Sequence, residues 1–248
     1  SSIYNDAARL IDGAEIAAEV MRMALLAPKD GKPSIAIGTG ESESDNMVHG
    51  YDYDSDGTYK QKHYLKIEGT DTWDHPDTAK PLKDVQQGTK YLKSIGVLPR
   101  YAMMNSTTFD YLVENEQIKN ALITSSGKTV DFTDEATVKE IFTRKTGLTP
   151  IIYDKMYIDY KGETQKFYPD NKVTIIGAGT LGSTYYGVTP EERTLMSNKN
   201  VDVAMLDNRI AIATKTEQGP PVKTTTSVSQ IVLPSYEGID STFVIDVK

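Results

Sequence analysis

The sequence predicts a mixed α+β fold, and three observations carry that reading. Helical periodicity runs through the first 146 residues, short alternating and β-branched segments take over from Leu148, and 38% hydrophobic against 25% charged residues is a balance that builds a core. The 248 residues suffice for one large domain or two modest ones.

Taken in order, Ile3, Ala7, Leu10, Ala14, Ala17, Met21 and Ala24 alternate in steps of four and three. That is the stripe of one long amphipathic helix, stopped by Pro28. At a rise of about 1.5 Å per residue, roughly 25 residues extend over about 37 Å. The stripe is Ala-rich and places Ala17 in the buried face, where a sheet could approach closely. Ser34-Ile35-Ala36-Ile37 and Tyr64-Leu65-Lys66-Ile67 read as strands on either side of an acidic Ser- and Asp-rich stretch from Glu41 to Asp56. A second helix starts near Pro81, whose missing N–H costs nothing in a first turn, and ends at Gly96. Its apolar face is Leu82, Val85, Leu92 and Ile95. Arg100 to Met104 reads as a short strand. Ser106 caps a helix carrying Phe109, Leu112 and Val113, and Thr133 caps one carrying Val138, Ile141 and Phe142 that Gly147 closes.

Beyond Leu148 the expected strands are Pro150–Tyr153, Tyr157–Tyr160, Thr164–Tyr168, Lys172–Ile176, Val201–Leu206, Arg209–Thr214, Val222–Val232 and Thr242–Val247. Lys161-Gly162, Asp207-Asn208 and Gly219-Pro220-Pro221 supply turns between them. No internal repeat and no low-complexity tract interrupts this plan.

Composition removes several function classes. With 27 Lys+Arg against 35 Asp+Glu, the formal net charge of -8 is unsuited to a broad electrostatic grip on nucleic acid. No apolar run reaches even 12 residues, so neither a bilayer span nor a signal-peptide core is expected. The absence of cysteine removes disulfides, thiolate metal sites and thiol nucleophiles. Fifteen Tyr against five Phe favours contact surface, because Tyr packs a ring while keeping its hydroxyl bonded.

Three motifs bear on chemistry. Gly177-Ala178-Gly179-Thr180-Leu181-Gly182 is a literal GxGxxG after an apolar run, with Asp202 at about the distance of a ribose contact. The next eight residues, Ser183 to Pro190, are β-branched, aromatic and glycine-broken, so a strand-to-strand loop is expected and a nucleotide-dependent enzyme is the third reading. Asp52, Asp54 and Asp56, followed by Gly57, match the first half of a calcium loop, but His63 stands where a bidentate acid belongs. These three aspartates are the one weak metal candidate. His49, His63 and His75 lack zinc-site spacing and sit in polar turns, which predicts surface histidines. No GxSxG string occurs, and no catalytic or cofactor-binding residue is assigned.

Four stretches in order resemble the major capsid proteins of tailed phages, specifically the lambda capsid protein E family with the Hong Kong 97-like fold. They are Gly31-Lys32-Pro33-Ser34-Ile35-Ala36-Ile37-Gly38 after the long helix, and Gly69-Thr70-Asp71-Thr72-Trp73-Asp74-His75-Pro76-Asp77 leading to Pro81-Leu82-Lys83-Asp84. The third is Lys166-Phe167-Tyr168-Pro169-Asp170-Asn171 through Gly177, and the fourth runs from Gly219-Pro220-Pro221-Val222 past Pro234 to Val247. The resemblance implies a peripheral domain from residues 1–80 and 196–248, built on a spine helix, with an axial domain, 81–195, inserted between them. The N-terminal arm and extended loop of such proteins have no counterpart before Ile3. It also implies a non-enzymatic shell protein without cofactors, partnered by itself in hexamers and pentamers. Scaffold, portal and decoration proteins and packaged DNA without sequence-specific contact complete the implied set, with no membrane. The place would be the virion, after assembly in the host cytoplasm. An extracellular β-rich binding module with a Ca2+ loop at Asp52–Gly57 is the alternative.

Overall fold

The computed structural model describes residues 15–35, 52–123, 134–159, 161–179, 181, 236 and 238–248, together with the helix or strand backbones at 36–37, 49–51, 124–126, 184–187, 201–205, 211–217, 223–229 and 231–234. The chain divides into two compact units, Ser1–Arg22 with Gly182–Ser235, and Met23–Leu181 with Tyr236–Lys248.

In chain order the elements are α1 (15–26), β1 (Ser34–Ile37), β2 (His49–Asp52), α2 (Thr58–Lys62), β3 (Tyr64–Lys66), α3 (Pro81–Ser94) and β4 (Pro99–Met104). Then come α4 (Ser106–Glu114), α5 (Glu116–Ser126), α6 (Glu135–Thr146), β5 (Thr149–Ile152), β6 (Met156–Ile158), β7 (Thr164–Lys166) and β8 (Lys172–Gly177). The remaining strands are β9 (Thr184–Gly187), β10 (Val201–Met205), β11 (Ala211–Glu217), β12 (Lys223–Ser229), β13 (Ile231–Pro234) and β14 (Thr242–Asp246).

In the smaller unit β10, β11 and β12 form an antiparallel meander, and β13 pairs antiparallel with β9. The expected strand Val222–Val232 is therefore two strands that serve different sheets. The larger unit is built on a five-stranded mixed sheet in the order β3-β14-β8-β4-β5. β14 runs parallel to β3 and antiparallel to β8, while β4 runs antiparallel to β8 and parallel to β5. Pro150 lies in β5, the outer strand, where a missing ladder donor is tolerated. β3 precedes residue 80 and β14 follows residue 196, yet both belong to the sheet of β4, β5 and β8. The boundaries between the two compact units fall at 22/23, 181/182 and 235/236.

Helices α3, α4, α5 and α6 cover this sheet, and Leu82, Val85, Leu92, Phe109, Leu112, Ile118, Leu122, Val138, Ile141 and Phe142 form one core with Met104, Ile175 and Ile245. Pro81 opens α3 at its first position, as expected. The helix ends at Ser94, so Ile95, expected on its buried face, becomes the C-cap and is exposed. Asn105, not Ser106, caps α4, because its Oδ1 accepts from the Thr108 amide. Asp134 caps α6 through the Thr137 amide, and Gly147 closes the helix at φ 75°.

Close approaches require glycine at Gly88 and Gly31, among other positions. A Cβ on Gly88, mid-α3, would lie 2.5 Å from Ile175 Cδ1 and 2.8 Å from Phe243 Cδ1, so this helix sits hard against β8 and β14. Gly31, at φ 70°, lies against the Tyr64 ring, which occupies the space a Cβ would take.

In α1, the expected stripe through Ala17 and Ala24 is corrected. Ala17 is exposed and Ala24 half-buried, whereas Ala18 and Leu25, seven apart, are buried. Adjacent alanines fit either face of a helix, and the face with the larger Leu25 is the one covered. The stripe positions Ile3, Ala7, Leu10 and Ala14 lie outside the described residues, as does the expected cap Thr133.

Gly88→Ala gains helix propensity but overfills the α3–sheet contact. We expect a net loss of about 1–3 kcal/mol in urea unfolding. Unchanged or raised stability would show that Ile175 and Phe243 move aside at no cost.

Candidate functional site

The acidic turn spends its oxygens on its own backbone. Asp52, at the end of β2, accepts the Asp54 amide on Oδ1 at 2.8 Å. Asp54 is buried and accepts the Tyr59 amide at 2.8 Å and the Lys60 amide at 3.0 Å on its two oxygens. Asp56 accepts the Thr58 amide at 3.0 Å, and that amide together with the Thr58 hydroxyl holds its carboxyl below the usual range. Gly57, at φ 73°, makes the reversal into α2. The three carboxylates thus serve to start a five-residue helix. Among the described residues, no group of three His, Cys, Asp or Glu is placed to hold a metal ion.

His63 is not a surface histidine. It is buried, and its Nδ1–H donates to the Thr242 carbonyl at 2.8 Å, an oxygen that can only accept. Its ring lies parallel to Tyr59 at 5.0 Å and edge-on to Tyr91 at 5.0 Å. Tyr59 and Tyr236 both direct hydroxyls at Thr242 Oγ1, at 2.8 and 3.1 Å. Burial pushes the phenols of Tyr59 and Tyr236 well above their ordinary range, so both stay neutral donors or acceptors. Hydrogen bonds tie α2 and its cap to β14, and Tyr91 packs α3 against His63 and Phe243. His75 is half-exposed beside Asp74, 3.2 Å away, and bonds the Thr72 hydroxyl through Nδ1. His49 lies in β2.

The glycine string lies at the end of β8, and the next described element is β9, a strand. A Cβ on Gly177 would meet Val97 Cγ1 at 2.6 Å and the Ser241 carbonyl at 3.1 Å, so this glycine serves strand packing. Among the described residues no α-helix comes after it to receive a pyrophosphate, while Asp202 sits in β10.

Two stretches singled out in the sequence meet at the end of β14. The Trp73 amide donates to the Val247 carbonyl at 2.8 Å, and the Val247 amide donates to the Asn171 carbonyl at 3.0 Å. Trp73 is fully buried, and its Nε1–H donates to Asp84 Oδ2 at 3.0 Å in the first turn of α3. Burial raises the Asp84 carboxyl above its usual range although the indole bond opposes the shift. Asn171, at φ 64°, accepts the Tyr111 hydroxyl and donates its amide to Thr108 Oγ1. Asn105 reaches the same corner, with Nδ2 at 2.6 Å from Asp170 Oδ1 and 3.3 Å from the Tyr168 carbonyl.

What stays open is apolar surface. Leu98, Tyr101, Met156 and Ile158 are exposed. Leu98, Arg100 and Tyr101 line a shallow cleft of about 300 Å3 with Gly147 and Thr149. Lys139, Glu140, Arg144 and Pro150 line a second of about 480 Å3 across Thr149. Both clefts are open to solvent, and exposed apolar side chains of this kind are a common feature of surfaces that contact other macromolecules.

A sequence model of phage major capsid protein E matches residues 2–201. The chain belongs to that family. The match contains the stretches at Gly31–Gly38, Gly69–Asp84 and Lys166–Gly177; the one that starts at Gly219 lies beyond it. No curated protein matches the chain in sequence. Among solved structures it resembles one described as the capsid protein of a prophage of E. coli CFT073, with a TM-score of 0.65 at 13% identity, over 99% of this chain and 67% of that one. A phage-related protein from Bordetella bronchiseptica aligns with a TM-score of 0.45 at 12% identity, over 75% and 55% of the two chains. The capsid family assigns this chain a structural role in the virion by self-assembly, and the E. coli likeness shows the α+β capsid fold. Among the described residues, no helix is long and apolar enough to cross a membrane.

Two substitutions test the corner that holds β14. Because the folded Asp84 carboxyl titrates above its unfolded value, its stabilising contribution is present at acid pH and is lost as pH rises through the raised folded value. Asp84→Asn keeps an acceptor for Trp73, so its melting temperature relative to the parent should be higher at about pH 7 than at about pH 4. A difference independent of pH would mean that the carboxyl is not desolvated. Asn105→Ala removes the α4 cap and the buried donor to Asp170 together, and chemical denaturation should show a loss of about 2–3 kcal/mol.

Proposed function

We propose that this chain builds the closed icosahedral head shell of a tailed phage or prophage, as hexamers and pentamers of itself. The shell encloses DNA without sequence-specific contact. The observation that carries this reading is the family match over residues 2–201, joined to a fold whose buried polar groups serve β14. In the Hong Kong 97-like arrangement the axial part would be the sheet unit, Met23–Leu181 with Tyr236–Lys248, and the peripheral part Ser1–Arg22 with Gly182–Ser235. The support for this revised division is that β14 is an inner strand of the sheet that contains β4, β5 and β8. The net charge of -8 suits a container whose lining must not bind phosphate strongly. Assembly takes place in the host cytoplasm, where scaffold, portal and decoration proteins complete the head.

Electron microscopy of the chain expressed alone and concentrated should show closed shells or isolated five- and six-membered rings. A monodisperse monomer under all assembly conditions overturns the proposal.

A further inference from the structure

Four of the exposed large apolar side chains of the sheet unit, Leu98, Tyr101, Met156 and Ile158, stand toward the two ends of one parallel strand pair, while Ile95 and Ile123 lie on helices α3 and α5 or at their ends. β4 and β5 run side by side with Tyr101 opposite Thr149 and Met104 opposite Ile152, and β5 is the sheet's outer strand. At the N-terminal end of this pair stand Leu98 and Tyr101, 56% and 40% exposed, with Arg100 between them. The adjoining clefts add Arg144 and Lys139, with Glu140 as the one acid in their lining, while Lys139 is paired with Glu135 at 3.0 Å, so Arg100 and Arg144 supply the positive charge.

At the C-terminal end the chain leaves Ile152 and, three residues later, enters the antiparallel hairpin of β6 and β7. The hairpin is anchored there: the Tyr153 amide donates to the Met104 carbonyl, the Phe167 amide to the Lys155 carbonyl, and Lys166 Nζ lies 3.4 Å from Thr107 Oγ1. Its outer face carries Met156 and Ile158, 50% and 67% exposed. Its turn carries Asp159 and Glu163 around Lys161, closed by Asp159 Oδ1 accepting the Lys161 and Glu163 amides at 2.9 Å. At about 3.3 Å per residue, the strand pair separates the two patches by about 10 Å or more.

One patch is apolar with a basic margin, the other apolar with an acidic tip, and they are different surfaces of the same chain. A contact between unlike surfaces of identical subunits is head-to-tail and closes into a ring when the rotation allows. We propose that the β6–β7 hairpin of one copy seats Met156 and Ile158 on Leu98 and Tyr101 of a second copy, with Asp159 and Glu163 facing Arg100 and Arg144. This contact rests on the proposed capsid function and specifies which surfaces form its rings. The occupant is a second copy because the family self-assembles, because the charges of the two patches are opposed, and because both patches lie on every subunit.

The chain contains no cysteine, so introduced thiols report the contact without background. The full chain carrying Leu98→Cys with Ile158→Cys, treated under assembly conditions with a short bismaleimide, should give a covalent ladder extending past the dimer on a denaturing gel. Each single variant should remain monomeric. Tyr101→Cys with Met156→Cys is the second pair, used if the first does not fold. Shells or rings in the microscope without a ladder from either pair overturn the proposed contact and leave the capsid reading standing. Dimers from a single variant overturn it as well, since they report like surfaces meeting. Neither ladder nor assembled particles overturns both.

Discussion

Strand β14 can pair only after the chain has left the sheet at Gly177, formed the separate unit of Gly182–Ser235 and come back at Thr242. Only its start has local partners, the Ile239 carbonyl and the Tyr236 hydroxyl on Thr242, so the rest of its place is defined by side chains from distant elements. Thr242 is met by Tyr59, His63 and Tyr236. Asp246 pairs across the strands with Lys172 and accepts the Tyr64 hydroxyl. Val247 is clipped between Trp73 and Asn171 through its own backbone. Every residue from Thr242 to Val247 is buried, which makes this short segment the seam on which the sheet unit closes.

Legibility from sequence tracked the range of the forces involved. Pro81 at the start of α3 and Gly147 at the end of α6 act within one helical turn, and both were readable. The strand at Thr242–Asp246 was visible as an apolar run, but its parallel pairing with β3 was not, because register across so long a separation is set by the whole core. His63 looked like a turn residue from its neighbours, and only the return of β14 buries it. Helix α2 was hidden in an acidic stretch whose aspartates resemble a metal loop. Its initiating bonds run from Asp54 to amides five and six residues onward, a spacing that neither a helix cap nor a calcium pattern predicts. Helix α5 escaped because it comes after α4 with only Asn115 between them, with weak periodicity and no glycine or proline to mark the break. In α1 the run of alanines left the buried face ambiguous by one position.

A shell subunit has to keep its interior indifferent to its neighbours while leaving its surface adhesive. The sheet unit meets the first demand around β14, where the Thr242 hydroxyl, the His63 imidazole and the Asn105 amide all have internal partners, so assembly need not expose or rearrange them. The second demand falls on side chains such as Leu98 and Ile158, which contribute little to one copy's core and become useful only when another copy is near. The carboxylate that could attract an ion at Asp54 is turned inward with both oxygens on backbone amides, which leaves turn shape, and not ion supply, in charge of that loop.

The two compact units are stitched by three passages of backbone, at 22/23, 181/182 and 235/236. A pull that separated them would be shared among three covalent tethers rather than carried by one linker. A single cut by a protease at any one passage would still leave two intact. In a subunit of a capsid, such redundancy makes each copy tolerant of an isolated chain break.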